Sequence, residues 1–174
     1  MEIVVDFADQ GARLVLDLSR HSEVTVAGEI SLVWGTFVAR EQVVIEGYAM
    51  SAFIVDLTTV YESLAGEARL TDWDHAVVLK VAGTDRFHGK AEVSGDWTNS
   101  AYLDAGRPEA SVSFHGLLLE PEVVIALARQ LKKFLHETGT STELPVYLQP
   151  APRLGTQLRE WWSRRRHRDN PPST

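Results

Sequence analysis

Three histidines fall on consecutive predicted strands and are the side chains best suited to metal chemistry: His75, His88 and His115. Three aspartates lie close to them in sequence: Asp72, Asp74 and Asp85. Imidazole and carboxylate groups bind Zn²⁺ when they converge to about 2.0–2.2 Å from one ion. The spacings typical of such a site, His-Glu-x-x-His and His-x-His, do not occur in the chain. We therefore expect histidines at the surface of antiparallel strands, with no metal and no cofactor.

Nucleophilic catalysis has no recognisable motif in this sequence. The chain contains no cysteine, no Gly-x-Ser-x-Gly turn and no glycine-rich phosphate loop. A pair of catalytic carboxylates cannot be selected from 24 acidic residues without knowing their geometry. The sequence therefore favours a protein that is not an enzyme.

Charge is distributed unevenly along the chain. The net charge is −7, with 17 lysines and arginines against 24 aspartates and glutamates. Six of the arginines fall in the last 22 residues: Arg153, Arg159, Arg164, Arg165, Arg166 and Arg168. An acidic body with a basic tail is informative about partners and association rates, not about the fold.

The absence of cysteine favours a reducing compartment, and the acidic N-terminus does not resemble a signal peptide. No stretch reaches the roughly 18 apolar residues needed to cross a membrane. We expect a cytoplasmic protein with no membrane span.

Strand patterns dominate both halves of the chain. Alternating or β-branched apolar residues predict four antiparallel strands, at residues 2–7, 12–18, 24–34 and 36–46. Three further strands are predicted at residues 75–82, 86–97 and 109–119, and no internal repeat of fixed period is found. These patterns predict an α+β fold with one curved, largely antiparallel sheet of about seven strands.

Two helices are predicted beside this sheet. Phe53, Leu57, Val60 and Leu64 recur at helical spacing after Ser51, and Gly66 is the expected C-terminal cap. Residues 121–137 begin with a proline and carry an apolar stripe that includes Leu127, Leu131 and Phe134. We expect this second helix to cover one face of the sheet.

The composition changes after the second helix. Residues 139–155 contain three prolines, and residues 156–168 predict a basic amphipathic helix. We place a single domain at residues 1–149 and a tail at residues 150–174. The arginine-rich helix has the composition to contact nucleic acid or an anionic membrane, but docking on the acidic body is favoured.

Tryptophans are candidates for core packing or for binding hot spots. Alternation places Trp34 and Trp97 in the core, whereas Trp73, between two aspartates at a predicted turn, either packs inward or is an exposed binding anchor. Around it we predict a partner-binding site made of Asp72, Trp73, Asp74, Asp85, Glu92 and Asp96.

About half of the chain, residues 47–135, resembles a known group of proteins. The resemblance is carried by a helix ending near Tyr61 and Gly66, the turn at residues 85–89, a strand ending at Trp97, and Leu119-Glu120-Pro121 opening a helix that contains Gln130-Leu131. These features resemble WapI-type immunity proteins and related actinobacterial families of sheet-plus-helix proteins. The resemblance implies a bacterial binding protein that neutralises a toxin domain, with no catalytic residues.

Two functions follow from these patterns. The first is a non-enzymatic acidic protein-binding module, of which an immunity protein is one example, whose partner has a basic surface. The alternative is a small enzyme or ligand-binding domain with a pocket inside the curved sheet. A filled sheet interior would favour the first function, and a cavity with converging polar groups would favour the second.

Overall fold

The computed structural model describes residues 1–83, 89–98 and 111–143. Contacts divide the chain into two units, residues 1–143 and 144–174, and all of the described helices and strands belong to the first. The predicted domain boundary after residue 149 and the predicted basic helix lie outside the described residues, as do Asp85 and His88.

The first half of the fold is a four-stranded antiparallel meander followed by a helix. The strands are β1 (Glu2–Phe7), β2 (Ala12–Arg20), β3 (Thr25–Trp34) and β4 (Phe37–Glu46), in the spatial order β1-β2-β3-β4. Helix α1 (Gly47–Ser63) begins directly after β4. Gly35, with a φ of 61°, occupies the two-residue turn between β3 and β4, where a left-handed conformation favours glycine.

The second half repeats this order of elements. Strands β5 (Glu67–Thr71), β6 (Val77–Gly83), β7 (Ala91–Thr98) and β8 (Ser111–Leu119) form a second meander in the order β5-β6-β7-β8. Helix α2 (Pro121–Thr138) follows β8. The fold is therefore α+β and antiparallel as predicted, but the single curved sheet of about seven strands is replaced by two sheets of four strands.

The sheet is divided because α1 separates β4 from β5. A 17-residue helix carries the chain away from the edge of the first sheet, so that β5 starts a new one. β5 is only five residues long, and the alternation of its buried residues, Ala68 and Leu70, is too short to indicate a strand in the sequence. The predicted cap of α1 was also wrong, because Leu64, with a φ of 51°, ends the helix two residues before Gly66.

One hydrophobic core joins the inner faces of both sheets to both helices. The largest fully buried side chains come from every part of the unit and include Leu16, Ile30, Phe53, Leu79 and Leu117. The predicted burial of Leu127, Leu131 and Phe134 on α2 is confirmed. Apolar side chains thus fill the space between the sheets and the helices, and this arrangement fixes the turns at the edges of each sheet.

The two tryptophans predicted for the core have different positions. Trp97 is buried and packs edge-on against Phe114, with ring centroids 5.6 Å apart. Trp34 is 40% exposed, which contradicts the prediction. Trp34 lies on the predicted inner face, two residues after the buried Leu32, but β3 extends past the end of the core at this point.

Candidate functional site

The turn between β5 and β6, residues 72–76, presents a tryptophan ring to solvent. We call it the Trp73 turn. Trp73 is 58% exposed, while its backbone N–H donates to the carbonyl of Val44 on β4 at 2.8 Å. His75 adopts a left-handed conformation, with a φ of 57°, and its N–H donates to the Asp72 carbonyl at 3.2 Å. The backbone of the turn is therefore bonded to the first sheet at Trp73 and closed by the bond from His75 to Asp72.

Asp72, the residue before Trp73, is a buried carboxylate. Its side chain is one of the few polar groups of the described residues that are buried, and its Oδ1 accepts the N–H of Val77 at 2.9 Å. Burial raises the pKa of Asp72, and the charge of Asp74 adds to the rise, whereas hydrogen bonds from the backbone of Val77 and Ala76 oppose it. A cation placed here would relieve the cost of the buried charge.

Glu41 is a further carboxylate, and its charge interacts with that of Asp72. It comes from the first sheet, whereas Asp72 lies in the turn of the second. It lies on β4 opposite Ile30, on the same face as the buried Ala39 and Val43. Burial raises the pKa of Glu41, the charge of Asp72 raises it further, and a hydrogen bond from the Gln42 backbone lowers it. The sequence prediction omitted this residue, although alternation along β4 places it on the inner face.

A small pocket opens beside the tryptophan. It has a volume of about 260 Å³ and is lined by Glu46, Tyr48, Ala49, Thr71, Asp72, Trp73 and His75. Pockets that enclose drug-sized ligands measure about 300–1,000 Å³. The size and the acidic lining therefore suit one side chain of a partner better than a whole small molecule.

The remaining predicted site residues are only partly brought together. Asp96 lies in the cross-strand row that contains Val78, at the same end of the second sheet as the Trp73 turn, and accepts a hydrogen bond from the Ser113 hydroxyl at 2.7 Å. Glu92 stands four residues away along β7, about 13 Å at the usual rise of a strand. It accepts the N–H of Gly116 at 3.0 Å, beside a bulge in β8. Glu92 is thus engaged elsewhere on the sheet.

The histidines do not converge in the part of the chain that the structure describes. His75 belongs to the Trp73 turn and His115 to the bulge of β8, and both are exposed. Across residues 1–83, 89–98 and 111–143, no group of three His, Cys, Asp or Glu side chains is placed to hold a metal ion.

A larger concavity lies on the outer side of the two helices. The groove between α1 and α2 has a volume of about 780 Å³, with Ile54, Val55 and Leu135 as its apolar lining. Its polar rim includes Glu62, Lys132 and His136. This groove is outside the sheets, so it differs from the pocket that the alternative function placed within them.

No protein-family model matches this chain, and no curated protein matches it in sequence. Among the described residues, no helix combines the length and the apolar character needed to cross a membrane.

Proposed function

We propose that this protein is a non-enzymatic binding module that recognises a basic protein partner at the Trp73 turn. The observation that carries the proposal is the exposed ring of Trp73 beside the buried carboxylate of Asp72. An exposed tryptophan on a fixed backbone loses little conformational freedom when it is covered, and tryptophan is among the residues most often found as interface hot spots.

The carboxylates supply the charge preference of this site. Asp72 and Glu41 both have a raised pKa because they are partly removed from water, and the charge of Asp74 raises the pKa of Asp72 further. A lysine or arginine of a partner would favour their charged forms, and it can also lie against the indole face in a cation–π contact. An arrangement of this kind selects a basic surface over an acidic one.

The resemblance to WapI-type immunity proteins suggests what this partner is. It implies a toxin domain that the protein neutralises by covering part of its surface. Nuclease and other nucleic-acid-directed toxins present basic faces, so an acidic site with an aromatic anchor is suited to this class of partner.

Capture of a partner from the native host tests the proposal. The wild-type protein is compared with Trp73→Ala and with the double substitution Asp72→Asn and Asp74→Asn, and affinity is measured for the captured protein. We expect each change to weaken binding at least about tenfold, because truncation of a hot spot typically costs about 2 kcal/mol or more. Tyr61→Ala on α1 is the matched aromatic control, since Tyr61 is also exposed.

Charge is controlled in the same experiment by a second pair of substitutions on α1, Asp56→Asn with Glu62→Gln. This pair removes the same net charge from α1, outside the Trp73 turn. If the α1 substitutions weaken binding as much as those at the Trp73 turn, the site is wrong. If Trp73→Ala binds as the wild type does, the proposal fails.

A ligand-binding function is the alternative, and the groove between α1 and α2 favours it. Its volume of about 780 Å³ lies within the range of small-molecule sites. A screen of small metabolites by thermal shift distinguishes the two functions, because a ligand that fills the groove raises the melting temperature. Loss of that rise in Val55→Lys, which places a charge at the mouth of the groove, would identify the site.

A further inference from the structure

Two hydrogen bonds fix which backbone groups of β4 face away from its sheet. The N–H of Gly47, directly after β4, donates to the carbonyl of Val24 at 2.8 Å, so odd-numbered residues of this strand bond to β3. The carbonyl of Val44 leaves the sheet and accepts the N–H of Trp73. The register from Thr25↔Glu46 to Trp34↔Phe37 is unbroken. Along an antiparallel pair, residues that bond to the neighbouring strand alternate with residues whose backbone groups face away from it. Val38, Arg40 and Gln42 therefore direct their N–H and C=O groups outward.

Among the described residues, no strand pairs with this side of β4. β4 is the last strand in the order β1-β2-β3-β4. Within the described residues, the bond from Trp73 to Val44 is the backbone pairing on this side, and the Gln42 N–H is engaged by the Glu41 carboxylate. Among those residues, both groups of Val38 and of Arg40, and the carbonyl of Gln42, have no backbone partner and can pair with a further strand. Unpaired edges of this kind are templates for strand addition.

The side chains along the edge have the same character as the Trp73 turn. Phe37, Ala39 and Glu41 follow one another on the inner face, and Trp34 lies opposite Phe37. Phe37 is 42% exposed and Trp34 40%, so an apolar pair stands at one end of the row. The Glu41 carboxylate, with Asp72 beyond it, stands at the other end.

We propose that the β4 edge binds an extended basic segment of the partner by adding it as a fifth strand of the first sheet. The bound segment places a lysine or arginine against Glu41 and an apolar residue against Phe37 and Trp34. Because Phe37 and Glu41 are four residues apart, the two residues of the segment are also four apart, with a small side chain opposite Ala39. The inference rests on the proposed function and states the conformation in which the partner binds.

One hydrogen bond of this kind is already present, because the N–H of Trp73 donates to the carbonyl of Val44 at the end of the same edge. A partner strand would continue the ladder from Val44 toward Val38. The competing interpretation is that Glu41 protects the edge, since a charged side chain turned inward on an edge strand discourages pairing. The two interpretations differ for a basic strand: protection repels every strand, whereas recognition admits one that carries a cation.

A synthetic nonapeptide is the probe. Its sequence is Val-Thr-Thr-Thr-Lys-Thr-Thr-Thr-Val with blocked termini, so that a valine lies four residues from the lysine in either strand direction. Binding to the full-length protein is followed by the amide NMR signals of Val38 and Arg40. We expect these signals to shift, and we expect the same peptide with glutamate in place of lysine to bind at least about tenfold more weakly, since the acidic edge repels it.

The backbone is tested by two variants at one position. Arg40→Pro removes the outward N–H, and Arg40→Thr removes the same charge but keeps the N–H. Proline is tolerated on edge strands where the N–H faces away from the sheet. We expect Arg40→Pro to bind the nonapeptide at least about tenfold more weakly than Arg40→Thr. N-methylation of the peptide at alternate residues repeats the test without a protein variant, because only one of the two alternate sets should abolish binding.

Equal binding to Arg40→Pro and Arg40→Thr, indifference to N-methylation, or absence of shifts at Val38 and Arg40 would each overturn strand addition. These failures are separable from failure of the proposed function. If Trp73→Ala prevents capture of the partner but Arg40→Pro does not, the binding module stands and strand addition is wrong. If the nonapeptide pairs with β4 but Trp73→Ala captures the partner normally, strand addition stands and the Trp73 turn is not the partner-binding site.

Discussion

Asp72 combines a structural bond with an unfavourable charge. Its carboxylate accepts the Val77 N–H and closes the Trp73 turn, but burial and Asp74 together raise its pKa. The folded protein therefore holds a proton on Asp72 more tightly than the unfolded chain does. The contribution of Asp72 to stability is therefore lost as the pH rises from the ordinary value of 3.8 through the raised pKa.

Asp72→Asn tests this relation. Asparagine retains a side-chain oxygen that can accept the Val77 N–H, but it carries no charge. We expect the free energy of unfolding of the variant to decline less than that of the wild type as the pH rises above about 4, because the charge that causes the decline is gone. Urea unfolding at a series of pH values measures it. The exposed Asp56→Asn on α1 is the control, and an identical decline in wild type and Asp72→Asn would contradict the explanation.

The burial of individual residues could be predicted from alternation where the strand lies within the span of the core. Trp97 is buried as expected because it lies within the span of the core, whereas Trp34 has the correct face but lies beyond the end of the core. Glu41 was missed because a charged residue on an inner face is read as an interruption of the pattern. Its role depends on Asp72, which lies 31 positions away in sequence and comes close only through the fold.

At the scale of elements, α2 shows what the sequence specifies most strongly. Its apolar stripe faces the core over the whole helix, with Val124, Leu127, Leu131 and Phe134 buried, and Gly139 ends the helix with a φ of 62°. Its N-terminus is marked by Pro121 and its C-terminus by Gly139, so both ends could be read locally. α1 is less clear because its exposed face includes Val55 as well as polar residues.

Leu131→Ala tests the packing of α2. Leu131 is fully buried, so the substitution should cost about 2–5 kcal/mol in the free energy of unfolding, as large-to-small changes in cores do. Arg129→Ala, at an exposed position of the same helix, is the matched control and should change stability by less than about 0.5 kcal/mol. Chemical denaturation measures both, and a loss below about half a kilocalorie for Leu131→Ala would show that this face is not in the core.

Strand β8 illustrates why the faces of elements could not all be predicted. Strict alternation along residues 109–119 would place Gly116 and Leu118 on the same face as Phe114. The structure instead has an extra residue in β8, because Phe114 pairs with Gly95 and Leu117 with Val93. Such a bulge reverses the faces of all residues beyond it, so that Leu117 and Leu119 become buried. The reversal depends on pairing with β7, which the sequence of β8 alone does not contain.

At the scale of the whole molecule, the chain repeats one arrangement of four strands and a helix without a repeated sequence. The two meanders differ in strand length, with ten-residue strands β3 and β4 in the first half and the five-residue β5 in the second. Burial requires only apolar residues at alternate positions, so different sequences satisfy the same arrangement. The repeat is consequently visible in the topology but not as a period in the sequence.

Charge is the property of the whole molecule that bears most directly on binding. The net charge is −7 although the last 22 residues are basic, so the remainder of the chain carries most of the negative charge. If this field steers a basic partner, the association rate should fall steeply with added salt, because screening shortens the range of charge interactions to about 8 Å at 0.15 M.

Stopped-flow or surface-binding kinetics with the captured partner, at low and high salt, measure this effect. We expect the wild-type association rate to fall at least about tenfold over that range, and the double substitution Asp72→Asn with Asp74→Asn to show a weaker dependence on salt. Trp73→Ala should instead raise the dissociation rate and leave the salt dependence intact, because it removes contact area without removing charge. The two classes of variant thus separate the field that brings the partner to the protein from the contact that retains it. An association rate that is indifferent both to salt and to the loss of these carboxylates would mean that the negative charge serves solubility alone.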